Sequence, residues 1–309
     1  MRDSVADCTL ILDYYEEHGW VDLPSPVMSQ YDSSFLTILP TIQEDFRHYP
    51  HLVLVLPASN DTETLTQGRF TVTKILGWDQ TKHVVYGGPG SNIISDKFSV
   101  DFHTYLVSKR HLVVARIDAR GSSFRSKQQE FAVYRNLGRY EIEDQIAVVR
   151  YLTQRFQFID QTKVGIWGWS YGGFDTAMVL ATDKEGVFQC GVSVAPVTNF
   201  LYYDSIYTER YMGLPDPSDN EAGYNRTDVT RLVDNFANKS FLLMHGTADD
   251  NVHYQQSMML TKAFEEKDIF FYQQSYPDQA HGIASYQRHV YHTINHFWTQ
   301  YLGLHPGTV

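Results

Sequence analysis

The sequence has only two cysteines, Cys8 and Cys190, which are too few for a disulfide framework. It lacks any apolar run near the roughly 20 residues that a membrane-spanning helix needs. Basic residues are scarce, 25 against 36 acidic ones, and the formal net charge of −11 argues against nucleic-acid binding, which needs a basic face for the phosphates. Hydrophobic residues make up 43% of the chain. Its 309 residues are therefore expected to form one large globular domain and a smaller piece.

The first residues, MRDSVADCTLILDYYEEHGW, place acidic side chains around a short apolar run, which is not the pattern of a signal peptide. Three N-x-S/T sequons, at Asn60, Asn225 and Asn238, are compatible with a glycoprotein that has passed through a secretory compartment. Composition alone therefore leaves the compartment open.

The chain has two regions that differ in the pattern of their hydrophobic residues. Residues 1–86 contain short β-rich runs such as SFLTIL, HLVLVL and KHVVY, separated by turn-like stretches such as PASNDTETLTQG. After Gly87, strand-like runs alternate with helical ones: HLVVARID, KVGIWG, CGVSVA, SFLLMHG and IFFYQQSY are strand-like, and the stretches after them have helical spacing. This alternation predicts an α/β domain with a mostly parallel sheet and helices on both faces.

A candidate nucleophile lies in KVGIWGWSYGG, where Gly168, Ser170 and Gly172 form a G-x-S-x-G sequence between a buried strand and a helix. A sharp strand-to-helix turn needs small neighbours and exposes the serine hydroxyl above the sheet. The backbone N–H of Tyr171 would then face the oxyanion that forms on attack. The alternative is a glycine-rich turn used only for close packing.

The other members of a serine hydrolase triad follow later in the chain. HGTADDNVH places Asp249 just past a strand, and DQAHGI places His281 in the loop before the last helix. The order Ser, Asp, His is typical of the α/β-hydrolase fold, and both residues follow strands whose ends meet at one sheet edge. We therefore predict that His281 is the general base and that Asp249 orients it. Asp250 is the alternative acid.

Other histidines compete with His281 for the role of base. His281 is preferred because it combines a glycine-flanked loop with the expected chain order. A metal site on the last helix is disfavoured, because no cysteine or acidic cluster accompanies its histidines. No metal or other cofactor is expected. The competing histidines are His245, His253, His289, His292 and His296.

Longer segments carry a family resemblance. GWSYGG, HGTADDNVH, DQAHGI and APVTNFLYYDSIYTERYMGLP, with VYGGPGS, DARGSS and LGRYEIEDQI, resemble the dipeptidyl peptidase IV group of the prolyl oligopeptidase serine peptidases. The resemblance covers about residues 84–309. It implies an α/β-hydrolase domain paired with a β-propeller, and the release of N-terminal X-Pro or X-Ala dipeptides through an acyl-enzyme.

The resemblance also implies individual roles. Ser170, Asp249 and His281 would form the triad, and the Tyr86 hydroxyl would join the Tyr171 N–H in the oxyanion hole. Asn251 and Arg210 would hydrogen-bond the substrate carbonyl. The proline pocket would be lined by Trp169, Val197, Tyr203, Tyr207 and Val252. From the residues alone, the tyrosines of YYDSIYTERY favour helix packing instead.

The sequence departs from the family before residue 84. Residues 1–82 resemble only part of the propeller, so we expect a partial β-propeller remnant there and an α/β-hydrolase domain at 83–309. An N-terminally truncated, internally shortened product is the simplest account. The family's D-W-x-Y-E-E segment, whose glutamates bind the substrate amine, does not occur, and Glu16-Glu17 is only superficially similar. Relatives pair the cysteine equivalent to Cys190 with one that this chain lacks, so Cys190 is expected to be buried and unbridged.

The sequence therefore predicts a serine-type exopeptidase of this family whose activity is weakened by the shortened propeller. A serine carboxylesterase and a catalytically silent family member are the alternatives. The expected partners are peptides with a penultimate Pro or Ala and a second copy of the chain. The family dimerises partly through its last helix, and the family is secreted or on the cell surface. The last helix carries Tyr291, Ile294, Phe297, Trp298 and Tyr301, which could equally pack against the sheet.

Overall fold

The computed structural model describes residues 27–28, 35–42, 48–56, 61–66, 81–84, 88–94, 100–122 and 126–304. The chain folds into two compact units: one of residues 1–78 with 95–99, the other of 79–94 with 100–309. The boundary that the sequence predicts between a propeller remnant at 1–82 and a hydrolase domain at 83–309 stays a prediction. None of the helices in the described ranges is long and apolar enough to cross a membrane.

The described part of the first unit is a four-stranded antiparallel sheet with the strand order β1-β2-β3-β4. Its small core contains Leu39, Val53 and Val55, the last two on one face of their strand because side chains alternate. The strands are β1 (Val27–Met28), β2 (Phe35–Ile42), β3 (His48–Leu56) and β4 (Asp61–Thr64).

Strand β4 corrects the sequence analysis. The polar stretch PASNDTETLTQG is turn-like in sequence, but Asp61–Thr64 pairs with the end of β3. The turn interpretation is wrong at these residues because the strand has no apolar alternation of its own and is specified by its partner.

The second unit contains a six-stranded sheet with the order β10-β9-β8-β7-β5-β6, and every strand pair in it is parallel. This confirms the predicted α/β-hydrolase class with a mostly parallel central sheet. The burial predicted for Cys190, in β8, is confirmed as well. The strands are β5 (Thr81–Val84), β6 (Val113–Arg116), β7 (Gly165–Trp169), β8 (Cys190–Val194), β9 (Ser240–Gly246) and β10 (Tyr272–Tyr276).

Helices connect these strands. The long periodic segments predict α3, α4, α7 and α8, and all four lie where the pattern places them. The shorter helices have weaker hydrophobic periodicity. Helix α1 is stabilised at its N-terminus, where Asp101 and Thr104 form a capping box. The helices are α1 (Phe102–Arg110), α2 (Lys127–Glu130), α3 (Tyr140–Arg155), α4 (Tyr171–Thr182), α5 (Ser205–Met212), α6 (Glu221–Thr227), α7 (Gln255–Glu266) and α8 (Gln287–Tyr301).

Strand β7 is covered on both faces. Ile166 belongs to the large hydrophobic cluster that also holds residues of α3, α4 and α7. Gly165 and Trp167 face the other side, where Gly165 lies under Trp298 of α8 and Trp167 packs edgewise on Phe102 of α1. This alternation fixes the register of the strand that ends at Ser170.

Gly165 has no side chain because Trp298 fills the space. A Cβ at this position would lie 2.5 Å from the indole ring of Trp298, which is fully buried. We expect Gly165→Ala to destabilise the second unit by about 1–3 kcal/mol through overpacking, measured by urea unfolding. Gly282→Ala is the matched control, because a Cβ added there would meet nothing within 4 Å. Equal unfolding midpoints for the two variants would contradict this account of the packing.

Candidate active site

The first element of the site is the turn at Ser170, between the end of β7 and the start of α4. Ser170 adopts φ 61° and ψ −120°, a conformation that L-residues rarely occupy. Its N–H donates to the Val194 carbonyl at 2.8 Å, and its carbonyl accepts from the Phe174 N–H at 3.1 Å. The end of β8 and the first turn of α4 therefore hold the strained residue in place. The predicted sharp strand-to-helix turn is observed at this serine.

Gly173 makes this turn sterically feasible. A Cβ at Gly173 would lie 2.8 Å from the Val194 carbonyl oxygen and 3.1 Å from the Pro196 Cβ, so only glycine lets α4 start this close to the end of β8. Tyr171 is the first residue of α4, and the first amides of a helix point outward along its axis and carry partial positive charge. The helix start thus offers favourable electrostatics for an anion beside Ser170.

Asp249 lies in the loop between β9 and α7, and its side chain is fully buried. Its Oδ1 accepts the backbone N–H groups of Asn251 and Val252 at 3.0 and 2.9 Å. Burial would raise the pKa of this carboxyl, but hydrogen bonds from His245 and His281 outweigh that effect and hold the pKa well below its usual range. Asp249 therefore remains a carboxylate.

His281 donates from Nδ1 to Oδ2 of Asp249 at 2.7 Å, and its ring is 22% exposed. The neighbouring Asp250 is exposed to solvent. Of the two candidate acids, Asp249 is the one that contacts the predicted base. An Nδ1–H donor leaves Nε2 unprotonated, which is the tautomer that a general base needs.

Two loops are joined to bring this pair together. Ala248 N–H donates to the Gln279 carbonyl at 3.0 Å, and Thr247 N–H donates to the Tyr276 carbonyl at 2.9 Å. A Cβ at Gly246 would clash with the Gln279 carbonyl oxygen, so the approach of the His281 loop depends on glycine at the end of β9. Adjacent parallel strands thus place the two loops at the same sheet edge.

Trp169 links the His281 loop to the serine turn. Its indole Nε1–H donates to the His281 carbonyl at 2.9 Å, so the residue before Ser170 fixes the position of the histidine backbone. Within the described ranges, no hydrogen bond joins the Ser170 hydroxyl to the His281 ring. Such bonds often form only when substrate is bound, so this does not conflict with a triad.

The predicted pocket tyrosines lie together. Tyr203 and Tyr207 pack edge to face with ring centroids 5.8 Å apart, and Tyr207 packs against Tyr171 at 6.5 Å. The Tyr203 hydroxyl donates to Oδ1 of Asn251 at 3.2 Å. Asp204 caps α5 by accepting from the Tyr207 N–H, which fixes where the helix begins. These tyrosines therefore lie together, next to Asn251 and the start of α4.

The remaining predicted site residues differ in their exposure to solvent. Val197 and Val252 are 2% and 0% exposed and belong to the same hydrophobic cluster as Tyr171. Arg210 is exposed on α5, one turn after Tyr207. Tyr86 lies outside the described residues, so its oxyanion role stays a prediction, as do the roles assigned to the others. No group of three His, Cys, Asp or Glu residues in the described ranges is arranged to hold a metal ion.

Two buried residues beside the site were not predicted. His245, considered only as a rival base, donates from Nε2 to Oδ2 of Asp249 at 3.0 Å. Glu141, at the start of α3, accepts the Tyr171 hydroxyl at 2.7 Å and the Gly138 N–H at 2.6 Å through Oε1. A glutamate in the first turn of a helix normally faces solvent, so the sequence carried no signal that Glu141 is buried.

Glu141 has an altered acidity. It is fully buried, which raises the pKa of its carboxyl from 4.5 to about 7, although the bonds from Gly138 and Tyr171 oppose the rise. Its Oε2 has no hydrogen-bond partner among the described residues. The same burial, with the Glu141 charge nearby, raises the pKa of the Tyr171 hydroxyl well above its ordinary value. The pair is therefore protonated more readily than exposed side chains.

This acidity predicts a pH-dependent stability. The folded state binds the Glu141 proton more tightly than the unfolded state, so stability from this residue is present below about pH 4.5 and is lost as pH rises through about 7. At 1.36 kcal/mol for each pH unit, the change amounts to about 3 kcal/mol. We expect the difference in unfolding free energy between wild type and Glu141→Gln to fall by about this amount from pH 5 to pH 8.

Urea unfolding followed by circular dichroism measures the effect. The control is Glu265→Gln, which changes an exposed glutamate of α7. If wild type and Glu141→Gln lost stability in parallel between pH 5 and pH 8, the buried carboxyl would not be the cause.

Comparison with known proteins identifies the family to which the chain belongs. A family model described as "Prolyl oligopeptidase family" matches residues 98–305, and one described as "Dipeptidyl peptidase IV (DPP IV) N-terminal region" matches residues 3–129. In structure, the chain is similar to the crystal structure of Porphyromonas gingivalis dipeptidyl peptidase 4. The TM-score is 0.68 at 27% identity, over 90% of this chain and 43% of that one.

Several relatives are similar in sequence. The chain is 52% identical over 231 residues to venom dipeptidyl peptidase 4 of Apis mellifera, covering 73% of this chain and 30% of the relative. It is 45% identical to dipeptidyl peptidase 4 of Sus scrofa and to prolyl endopeptidase FAP of Mus musculus, over 71% of this chain and 29% of each relative. The chain thus spans about a third of the length of these relatives. With the parallel sheet and the turn at Ser170, these matches show that the chain belongs to the prolyl oligopeptidase family of serine peptidases.

Proposed function

We propose that the chain is a serine exopeptidase of the dipeptidyl peptidase IV type, which releases N-terminal X-Pro or X-Ala dipeptides. The observation that carries the proposal is the strained turn at Ser170 beside the hydrogen-bonded pair of Asp249 and His281. The relatives named dipeptidyl peptidase 4 support the same activity. Because the chain spans only part of their length, the activity is proposed for the site in this unit.

The mechanism follows from the chemistry of the three side chains. His281 Nε2 takes the Ser170 proton as the hydroxyl attacks the substrate carbonyl, and the buried carboxylate of Asp249 stabilises the imidazolium that forms. The Tyr171 N–H and the Tyr86 hydroxyl stabilise the oxyanion. His281 then gives the proton to the leaving amine. Water, activated by His281 in turn, releases the dipeptide and restores Ser170.

The specificity depends on the aromatic side of the site. Tyr203, Tyr207 and Trp169, with Val197 and Val252 behind them, form an apolar surface on which a proline ring is buried at low entropic cost. Asn251 and Arg210 hydrogen-bond the carbonyl of the residue before proline. The exposure of Arg210 leaves its guanidinium free to reach substrate.

The nucleophile is tested by labelling the purified chain with a fluorophosphonate, which phosphonylates an activated serine and releases fluoride. We expect wild type to be labelled and Ser170→Ala not to be labelled, with loss of Gly-Pro chromogenic hydrolysis in the same variant. Ser218→Ala, which changes an exposed serine beyond α5, should label as wild type does. Equal labelling of Ser170→Ala and wild type would exclude Ser170 as the nucleophile.

The pocket is tested by Tyr207→Leu. The loss of ring contact should lower kcat/KM for Gly-Pro substrates about 10-fold, and less for Gly-Ala substrates, because a methyl group buries less surface than a proline ring. Tyr202→Leu is the matched control, since Tyr202 is 38% exposed and lies outside the proposed pocket. An equal loss for both substrates would argue against a proline pocket at Tyr207.

Three other functions remain as outcomes of these tests. Labelling without Gly-Pro cleavage would indicate a serine carboxylesterase, and absence of labelling would indicate a catalytically silent member. The relative named prolyl endopeptidase FAP adds a third outcome. Equal cleavage of free and N-acetylated Gly-Pro substrates would indicate an endopeptidase, because dipeptide release requires recognition of the free amine. Weakened activity stays a prediction, and kcat/KM for Gly-Pro release measures it.

Location and assembly are also proposals. The venom name of the Apis mellifera relative supports a secreted or cell-surface protein. A homodimer is supported by Phe270, which is 77% exposed beside the edge strand β10. Within the last helix, Ile294, Phe297 and Trp298 are buried within the chain itself, which is the packing alternative that the sequence left open.

A further inference from the structure

His245, at the end of β9, contacts the proposed triad although it is closed to solvent. Its side chain is 1% exposed, and its Nε2 lies 3.0 Å from Oδ2 of Asp249 and 2.8 Å from the Val252 carbonyl oxygen. Its Nδ1 lies 2.7 Å from the Ser257 hydroxyl. Every polar atom of this buried ring therefore has a partner, and one of the partners is the triad carboxylate.

These contacts define the protonation of the ring. Nε2 faces two acceptors, a carboxylate and a carbonyl, so Nε2 carries the hydrogen. Nδ1 then accepts a hydrogen bond from the Ser257 hydroxyl, which can donate. The tautomer with its hydrogen on Nε2 thus satisfies all of these contacts, whereas a tautomer with hydrogen only on Nδ1 would leave Nε2 facing two acceptors with nothing to donate.

The support for His245 comes from a buried part of α7. Ser257 follows Gln256, whose Oε1 accepts the Thr198 and Asn199 N–H groups at 2.8 and 3.0 Å. Gln256 and Ser257 are both 0% exposed. The start of α7 is therefore fixed to the loop after β8, and the Ser257 hydroxyl is held at the edge of the His245 ring.

Asp249 Oδ2 thus accepts two imidazole N–H groups, one from His281 and one from His245. From these contacts we infer that His245 is a positioning residue, which fixes the orientation of the Asp249 carboxylate and shares its negative charge with His281. This inference rests on the proposed serine peptidase function. Loss of the second donor has two consequences. The carboxylate is free to rotate away from His281, which slows the chemical step, and less of its negative charge is neutralised, so it acts more strongly on the His281 ring.

The base must be neutral to act, so activity falls toward acid pH. In a variant without the His245 donor, the Asp249 charge acts more strongly on the His281 ring, and the acid limb of the rate profile is expected to move to higher pH. The titratable groups that face His245 in the described contacts are Asp249, which His281 shares, and Tyr254, whose ring packs edgewise on it at 5.5 Å.

The experiment compares His245→Leu with His245→Gln in the full chain. His245→Leu removes the donor and should lower kcat, or the fluorophosphonate labelling rate, about 10- to 100-fold with little change in KM. Its acid limb should move to higher pH. His245→Gln keeps an N–H donor near the Nε2 position and should recover most of the rate. His253→Gln, which changes an exposed histidine of the same loop, is the control and should behave as wild type.

A second variant keeps the test valid if His245→Leu fails to fold. Ser257→Ala removes the donor to Nδ1 and leaves the His245 ring in place, so a smaller shift of the acid limb in the same direction is expected. The positioning role would be overturned if the acid limb of the rate profile did not move in these variants. It would also be overturned if their rate fell only in proportion to the fraction of folded protein. If wild type itself is not labelled, the proposed function fails together with the inference; if wild type is labelled and both variants match it, only the inference fails.

Discussion

The backbone turn at Ser170 is the constraint on which the proposed active site depends. A left-handed conformation at a serine costs about 1–3 kcal/mol and persists only where the surroundings hold it. Here the holding groups are the Val194 carbonyl, the first turn of α4 and the bare Cα of Gly173. The burial of α4 between its neighbours provides the stability that this strain requires.

The second constraint is the buried charge of Asp249. A carboxylate removed from water needs donors, and this one has four, from two backbone amides and the rings of His245 and His281. The same hydrogen bonds shape the loop that presents Asn251 and Val252. One buried ion thus orders the His281 ring and the loop that carries Asn251 and Val252 together.

The sequence predicted the alternation of the second unit and the pairing of Asp249 with His281, because parallel strands must end at the same sheet edge. It did not predict the contact of His245 with that pair, since a histidine at the end of a buried strand gives no sign of which loop folds over it. Glu141 was missed because its burial depends on where α3 lies against α4. Strand Asp61–Thr64 was missed because these residues form a strand by pairing with β3 and have no apolar alternation of their own.

The central claim is that one serine, one histidine and one helix start act on the same substrate atom. A crystal structure of the chain after reaction with a phosphonate tests it most directly. We expect the phosphorus on Ser170 Oγ, one phosphonyl oxygen within hydrogen-bond distance of the Tyr171 N–H, and His281 Nε2 facing the adduct. An adduct on another residue, or a His281 ring turned away while still bonded to Asp249, would contradict the account.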